Sequence, residues 1–411
     1  MIRLIRYKEL QRWKKRGRWV LVYGRRKTGK SFFISNFTRW DKYFFIGRSG
    51  EIFEGDNKIS YDVFLREVFE SLNNNKTVVI DEIQRLPSEF YDRLHKLGVI
   101  GNLIAISSTL WVAKKLIGGN TSLLGLFSEF KMDLIDERDI LINMSRYIKN
   151  PKQLIELSTY LREPWLFPLW EKAKKDFLLS MAINTKITIP ALIGEIFSEE
   201  DKQLSSIYEG ILKAVADGKR VSGEITNYLF SLNLIPAQNP SLVHPYLSTL
   251  HKLGLLEKMK VFGKNKYFYY HASPVVDLFY YMSEKYGFSE RDLPEKQIEN
   301  ILKEKIPFHV EQFFRNLLAK IFGLGNEIIS ERDYEVDIAL TDFKKLKVVC
   351  EVKWKNRIAK RELARIESIL NRFSCRRILI VPDKRLVEKE PEGIEVWDPK
   401  TILEEVKARN K

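Results

Sequence analysis

Cysteine is nearly missing from this chain: Cys350 and Cys375 are the only two in 411 residues. Two thiols cannot build a disulfide framework, and their scarcity suits a reducing compartment. Histidine is scarce too. The five histidines have no metal-ligand spacing and no Cys-x-x-Cys occurs, which argues against a zinc module. No apolar run is read as approaching the roughly 20 residues that span a bilayer, so no membrane contact is expected. The start, Met1-Ile2-Arg3-Leu4-Ile5-Arg6, lacks the apolar core of a signal peptide. The expected location is cytoplasmic. Acidic residues are also in deficit, 54 against 69 Lys and Arg, for a net charge of +15. That balance favours polyanionic partners, DNA first, although Lys-rich surfaces also occur in thermophile proteins.

What is present is ordinary for a globular chain, with 45% hydrophobic and 12% aromatic residues. The length allows two or three domains, each with its own core. We read them as 1–200, 201–290 and 300–411, with the Glu199-Glu200-Asp201-Lys202 run as an exposed linker.

The first segment alternates strands and helices. An apolar run at 18–23 leads into Gly24-Arg25-Arg26-Lys27-Thr28-Gly29-Lys30-Ser31, and a helical stretch follows over 32–40. This is GxxxxGKS between a strand and a helix, the context a phosphate-binding loop requires. Its glycines let the backbone curl so that successive N–H groups face a phosphate. Lys30 reaches the β- and γ-phosphates, Ser31 ligates magnesium, and the helix N-terminus adds its dipole. About fifty residues on, Thr77-Val78-Val79-Ile80-Asp81-Glu82 is a β-branched strand ending in two acids. Asp81 is expected to hold Mg2+ through water and Glu82 to polarise the attacking water on ATP. Further strands of the same sheet are expected at 42–47, 103–106 and 130–135. Ser107, Ser108 and Thr109 close the strand after the acidic one. Ser107 is taken as the sensing side chain, with an N-cap cluster for a helix from Trp111 as the alternative.

GRRKTGKS, VVIDEIQRLP and LIAISS resemble the P-loop, acidic strand and sensor strand of an AAA+-related family, the archaeal-type ATPases close to the STAND clade. The resemblance covers most of the chain and implies sheet order 5-1-4-3-2 with a small helical lid. Leu161-Arg162-Glu163-Pro164 stands where the family often carries Gly-Gly-x-Pro, keeping only the proline. Arg138 is a possible arginine finger.

The middle third reads as three helices and a hairpin. Helical spacing runs from Ile207 to Val215, a second helix starts at Ser222 as N-cap, and a third begins near His244 with Pro245 in its first turn. Two strands then flank Gly263-Lys264-Asn265-Lys266. This order looks like a winged helix-turn-helix, with Lys264 and Lys266 at the wing tip for phosphates and Tyr246, Ser248, Thr249 and Lys252 facing outward. Winged helices also serve as protein contacts, so a protein partner and an oligomer remain open. The stretch 273–281 has the spacing of a packed core helix.

The last hundred or so residues hold a second constellation. Glu311 sits on an amphipathic helix over 308–321, Asp337 on the second of three strands, and Glu351 with Lys353 on the third; a helix over 359–370 and a strand at 377–381 follow. Helix, three strands, helix and strand with Glu-x-Lys resembles the PD-(D/E)xK nuclease fold, an α/β restriction-endonuclease-like domain. Residues two apart in a strand share a face. Asp337 and Glu351 are thus expected to hold Mg2+, Lys353 to orient water, and Glu311 to complete the site. The expectation is an ATP-hydrolysing protein that acts on DNA with a metal-dependent nuclease domain. The alternative is an ATP-dependent switch whose nuclease-like domain only docks.

Overall fold

The computed structural model describes residues 4–109, 123, 125–200, 204–389 and 391–409. The helix expected from Trp111 and part of the expected linker lie outside them. Two compact units form: Arg6–Ile135 with Pro190–Leu204, and Met1–Ile5 with Asp136–Ile189 and Ser205–Lys411.

The first unit is built on strands β1 (Trp19–Tyr23), β2 (Lys42–Ile46), β3 (Ile52–Glu54), β4 (Asn57–Ile59), β5 (Thr77–Asp81), β6 (Asn102–Ser107) and β7 (Ser128–Lys131). They lie in the order β4-β3-β2-β5-β6-β1-β7. β2, β5, β6, β1 and β7 are mutually parallel. Numbered in chain order and read from β7, these five give the expected 5-1-4-3-2. Side-chain alternation explains their apolar runs. Trp19, Leu21, Val78 and Ile80 enter one core and Val20, Val22 and Val79 the other, so both faces are covered. The antiparallel β3–β4 edge hairpin was not legible, since each strand has three residues. β7 begins two residues earlier than expected and stops at Lys131, after which the Met132 N–H donates to the Tyr23 carbonyl at 2.8 Å.

The second unit carries helices Ser206–Ala216, Ser222–Ser231 and His244–Lys252 ahead of β8 (Leu256–Val261) and β9 (Tyr267–His271). After helices Pro274–Tyr286 and Glu295–Phe322 come β10 (Gly325–Ser330), β11 (Glu335–Asp342), β12 (Lys345–Val352), β13 (Arg376–Ile380) and β14 (Glu395–Trp397). All seven strands form one mixed sheet, β14-β13-β12-β11-β10-β8-β9. The boundary expected between 290 and 300 is therefore bridged: β8 pairs in parallel with β10, Lys260 opposite Glu327 and Val261 opposite Ile328.

That pairing changes the reading of the hairpin tip. The Lys264 ammonium donates to the Ser330 carbonyl at 2.5 Å and pairs with Glu331 at 2.8 Å, so it is engaged within the chain rather than held out for phosphate. Tyr246 is half-buried with its ring edge on Tyr208, 4.9 Å between centroids, and Thr249 is half-buried as well. Ser248 and Lys252 are exposed as expected. Residues 273–281 do pack as core, within the helix capped by the Ser273 side chain.

Residues 136–189, including the 161–164 stretch expected in the lid of a 1–200 domain, cluster with the second unit, with helices Glu137–Met144 and Pro151–Tyr160 among them. The fully buried Glu137 is consistent with this, since Arg162 at 2.8 Å and the Lys320 ammonium form ion pairs with it there. Burying such a carboxylate unpaired is costly. Arg138 is committed to both oxygens of Asp136 at 2.9 Å. Neither arginine lies in the first unit. The absence of a long apolar run also needs correcting. The helical stretch Pro164–Glu199 is long and apolar enough to cross a membrane by length and composition, because only Lys186 and Glu195 interrupt residues 177–198. Phe177, Met181, Ile189, Ile193 and Phe197 are buried, whereas Ile183 and Ile187 are exposed.

Gly24 has φ +150°, and a Cβ there would lie 2.1 Å from the Met132 carbonyl oxygen. Gly50, at φ +85°, has nothing within 4 Å of that position. Thermal or urea unfolding should therefore show Gly24→Ala losing about 3 kcal/mol or more and Gly50→Ala about 1–2 kcal/mol. Equal losses would refute the contact.

Candidate nucleotide site and C-terminal charged cluster

The loop after β1 is shaped by backbone before any side chain acts. Gly24 passes under Met132, Lys27 takes a left-handed φ of 65°, and Gly29 at φ 85° caps the helix Lys30–Phe37. Thr28 is buried and its hydroxyl donates to the Arg25 carbonyl at 2.9 Å. From behind, the buried Arg6 donates to the Thr28 carbonyl, the Glu9 carboxylate and the Asp133 carbonyl, each at 2.7 Å. Arg6 was invisible to motif reading, since nothing local marks it.

Lys30 is buried, and its ammonium donates to the Gly24 and Arg25 carbonyls at 2.9 and 3.0 Å. Burial lowers its pKa to about 8, against the opposing pull of Glu82, Asp81 and Glu199. Asp81 ends β5 beside it. Burial raises the Asp81 carboxyl, while the neighbouring Ser31 and Tyr43 hydroxyls oppose that rise. The Tyr43 hydroxyl donates to Oδ2 at 2.7 Å, whereas Oδ1 is buried with no hydrogen-bond partner. A buried carboxylate oxygen left unpaired beside a serine hydroxyl is the donor set a hard divalent cation takes. Ser31 and Asp81 therefore fit magnesium.

Glu82 is next along the chain, on left-handed backbone at φ 62° and ψ 44°. A non-glycine residue held there stores about 1–2 kcal/mol, a common mark of functional positions. Its Oε2 accepts from Ser108 Oγ at 2.9 Å and from Gln84 Nε2, with Arg85 Nη2 at 3.7 Å. The serine that touches Glu82 is Ser108, one residue past the Ser107 expected as the sensing side chain. Ser107 is fully buried and its Oγ meets the N–H and hydroxyl of Thr109 at 3.1 Å, so it is spent on local structure. β6 ends at Ser107, and Ser108, just past it, turns toward Glu82. The serine pair was readable from the chain, but its facing was not.

In the second unit Glu311, Asp337, Glu351 and Lys353 do come together. Lys353 Nζ lies 2.6 Å from Glu351 and 3.5 Å from Asp337, Asp337 Oδ2 also accepts from the Val352 N–H at 2.9 Å, and Glu311 pairs with Arg315. Burial and the Asp337 charge push the Glu311 and Glu351 carboxyls up to about 7 and about 8. The Lys353 ammonium is held well above its ordinary pKa by Asp337 and Glu351 against its burial. The ammonium of Lys353 thus lies against both carboxylates expected to hold Mg2+, and among the described residues no group of three or more carboxylate, imidazole or thiol side chains is arranged to hold a cation.

No family model and no curated protein matches the chain. Among solved structures, it is similar to the Walker-type ATPase PABY2304 of Pyrococcus abyssi at 19% identity and TM-score 0.44, over 67% of this chain and 94% of that one. It is also similar to the Aeropyrum pernix ORC1 protein in complex with DNA, at 14% and 0.30 over 69% and 93%. The A. pernix ORC2 protein in ADPNP–ADP complexes matches at 13% and 0.34 over 70% and 87%. Identities and TM-scores this low carry no functional weight. The motif and the sheet order of the first unit define a P-loop ATPase fold in their own right.

Ser108→Ala should slow steady-state nucleotide turnover about tenfold, because Glu82 loses a charge-assisted hydrogen bond. Ser107→Ala should leave turnover within about twofold and lower the melting temperature instead. The reverse pattern in a phosphate-release assay would return the sensing role to Ser107.

Proposed function

We propose that the chain binds and hydrolyses ATP and acts on DNA. The observation that carries the ATP reading is the buried, unpartnered Asp81 Oδ1 beside Ser31 and the Lys30 ammonium at the mouth of the P-loop. Gly24, Arg25, Arg26, Lys27, Thr28 and Gly29 would present backbone N–H groups to the phosphates. Ser31 and Asp81 would hold magnesium, which when bound neutralises charge on the terminal phosphates. Lys30 would leave the loop carbonyls for the β- and γ-phosphate oxygens. Glu82, fixed by Ser108 and Gln84, would orient the attacking water.

The DNA reading is supported by the net charge of +15 and by the three helices and hairpin of residues 206–271, the order of a winged helix. For the C-terminal unit the docking alternative is favoured over the nuclease. The ammonium of Lys353 already neutralises the carboxylates that cleavage would assign to a metal.

Lys30→Ala should abolish nucleotide binding, and Glu82→Gln should bind nucleotide normally but turn it over about a hundredfold more slowly or worse. Titration with a fluorescent ATP analogue and phosphate release measure the two. Undiminished turnover by Glu82→Gln would end its assigned role. The full chain should leave plasmid DNA uncut in magnesium or manganese, with and without ATP. Metal-dependent cutting that Asp337→Ala removes would restore the nuclease reading.

A further inference from the structure

The helix Phe177–Glu199 delivers two carboxylates to the P-loop. Its residues from Pro190 onward cluster with the P-loop unit, and the division falls at Ile189–Pro190. Pro190 has no N–H to donate, so the helix is short of one backbone hydrogen bond at that point. Beyond it, Arg26 of the loop pairs through Nε with Glu195 Oε2 at 2.6 Å and through Nη1 with Glu199 Oε1. Arg48 holds the other oxygen of Glu195 at 2.7 Å. Arg85 stands midway, Nη2 being 3.7 Å from Glu82 Oε2 and 3.7 Å from Glu199 Oε1. Glu199 Oε2 is buried with no hydrogen-bond partner among the described residues.

We propose that Glu195 and Glu199 form a carboxylate latch on the phosphate site, displaced when a nucleoside triphosphate binds and Arg26 and Arg85 exchange Glu199 for phosphate oxygens. The proposal rests on the ATP reading given above. Glu199 is not a remote surface acid, since its charge is among those acting on the Lys30 ammonium together with Asp81 and Glu82. A triphosphate brings several further negative charges to the same few ångströms. Asp81 is retained there by its role toward magnesium and Glu82 by its strained turn, whereas Glu199 sits on a helix end past a proline. Guanidinium groups take phosphate at least as well as carboxylate, in the same bidentate geometry. Repulsion thus acts on Glu199, and the two arginines lose nothing by the exchange.

Hydrogen exchange on the wild-type chain tests this without any variant. A saturating non-hydrolysable ATP analogue with magnesium should raise amide exchange across residues 191–199 while lowering it in the P-loop. Glu199→Gln, which keeps the shape and removes the charge, should bind the analogue about tenfold more tightly, the size of a typical coupling between a site and its switch. Glu195→Gln should shift affinity in the same direction by less. Analogue binding with unchanged or reduced exchange at 191–199 would overturn the latch alone, as would a Glu199→Gln affinity equal to or weaker than wild type. Failure of the wild type to bind any nucleotide would overturn the ATP reading and the latch with it.

Discussion

The backbone of Gly24 and the carbonyl of Met132 approach so closely that only a hydrogen atom fits between them. The nucleotide edge of the first sheet depends on that contact. It sets where the loop leaves β1, and Arg6 then holds the loop's far side by grasping Thr28 and the turn after β7 together. With loop and turn locked, Lys30, Ser31 and Asp81 need little freedom of their own. Their positions are inherited from a parallel sheet whose strands are buried on both faces. Preorganisation of this kind places the ordering cost in folding rather than in ligand binding.

Much of the first site was legible because its information is local. The spacing of Gly24, Gly29, Lys30 and Ser31, and the run ending at Asp81 and Glu82, each carry a chemical reason within a few residues. What stayed hidden was decided across the sheet. Tyr43 lies one strand away from Asp81, yet nothing in its own strand separates it from Phe44 or Phe45. Arg6 acts on residues more than twenty positions distant. Ser107 and Ser108 are neighbours with opposite facings, and a strand ending one residue earlier would have exchanged their roles.

The second unit was legible in its elements but less so in its chemistry. The strands carrying Asp337 and Glu351 lie where expected, whereas the helix carrying Glu311 starts at Glu295 rather than 308. Lys353 falls one residue past the end of β12, and the four charged side chains do converge. Their convergence brings an ammonium against the carboxylates. Whether a lysine beside two carboxylates orients a water or simply neutralises them depends on tenths of an ångström and on burial. Here the ammonium lies 2.6 Å from Glu351 in a largely buried setting, where an excess negative charge is costly.

The parallel pairing of β8 with β10 also bears on how this chain can be divided. The hairpin that follows the three helices has no separate existence as a wing, because β8 has β9 on one side and β10 on the other. A fragment ending before residue 325 would strip β8 of its pairing with β10 at Lys260 and Val261. A fragment starting after residue 290 would do the same to β10. Bared strand edges recruit other chains, so both fragments would be prone to self-association.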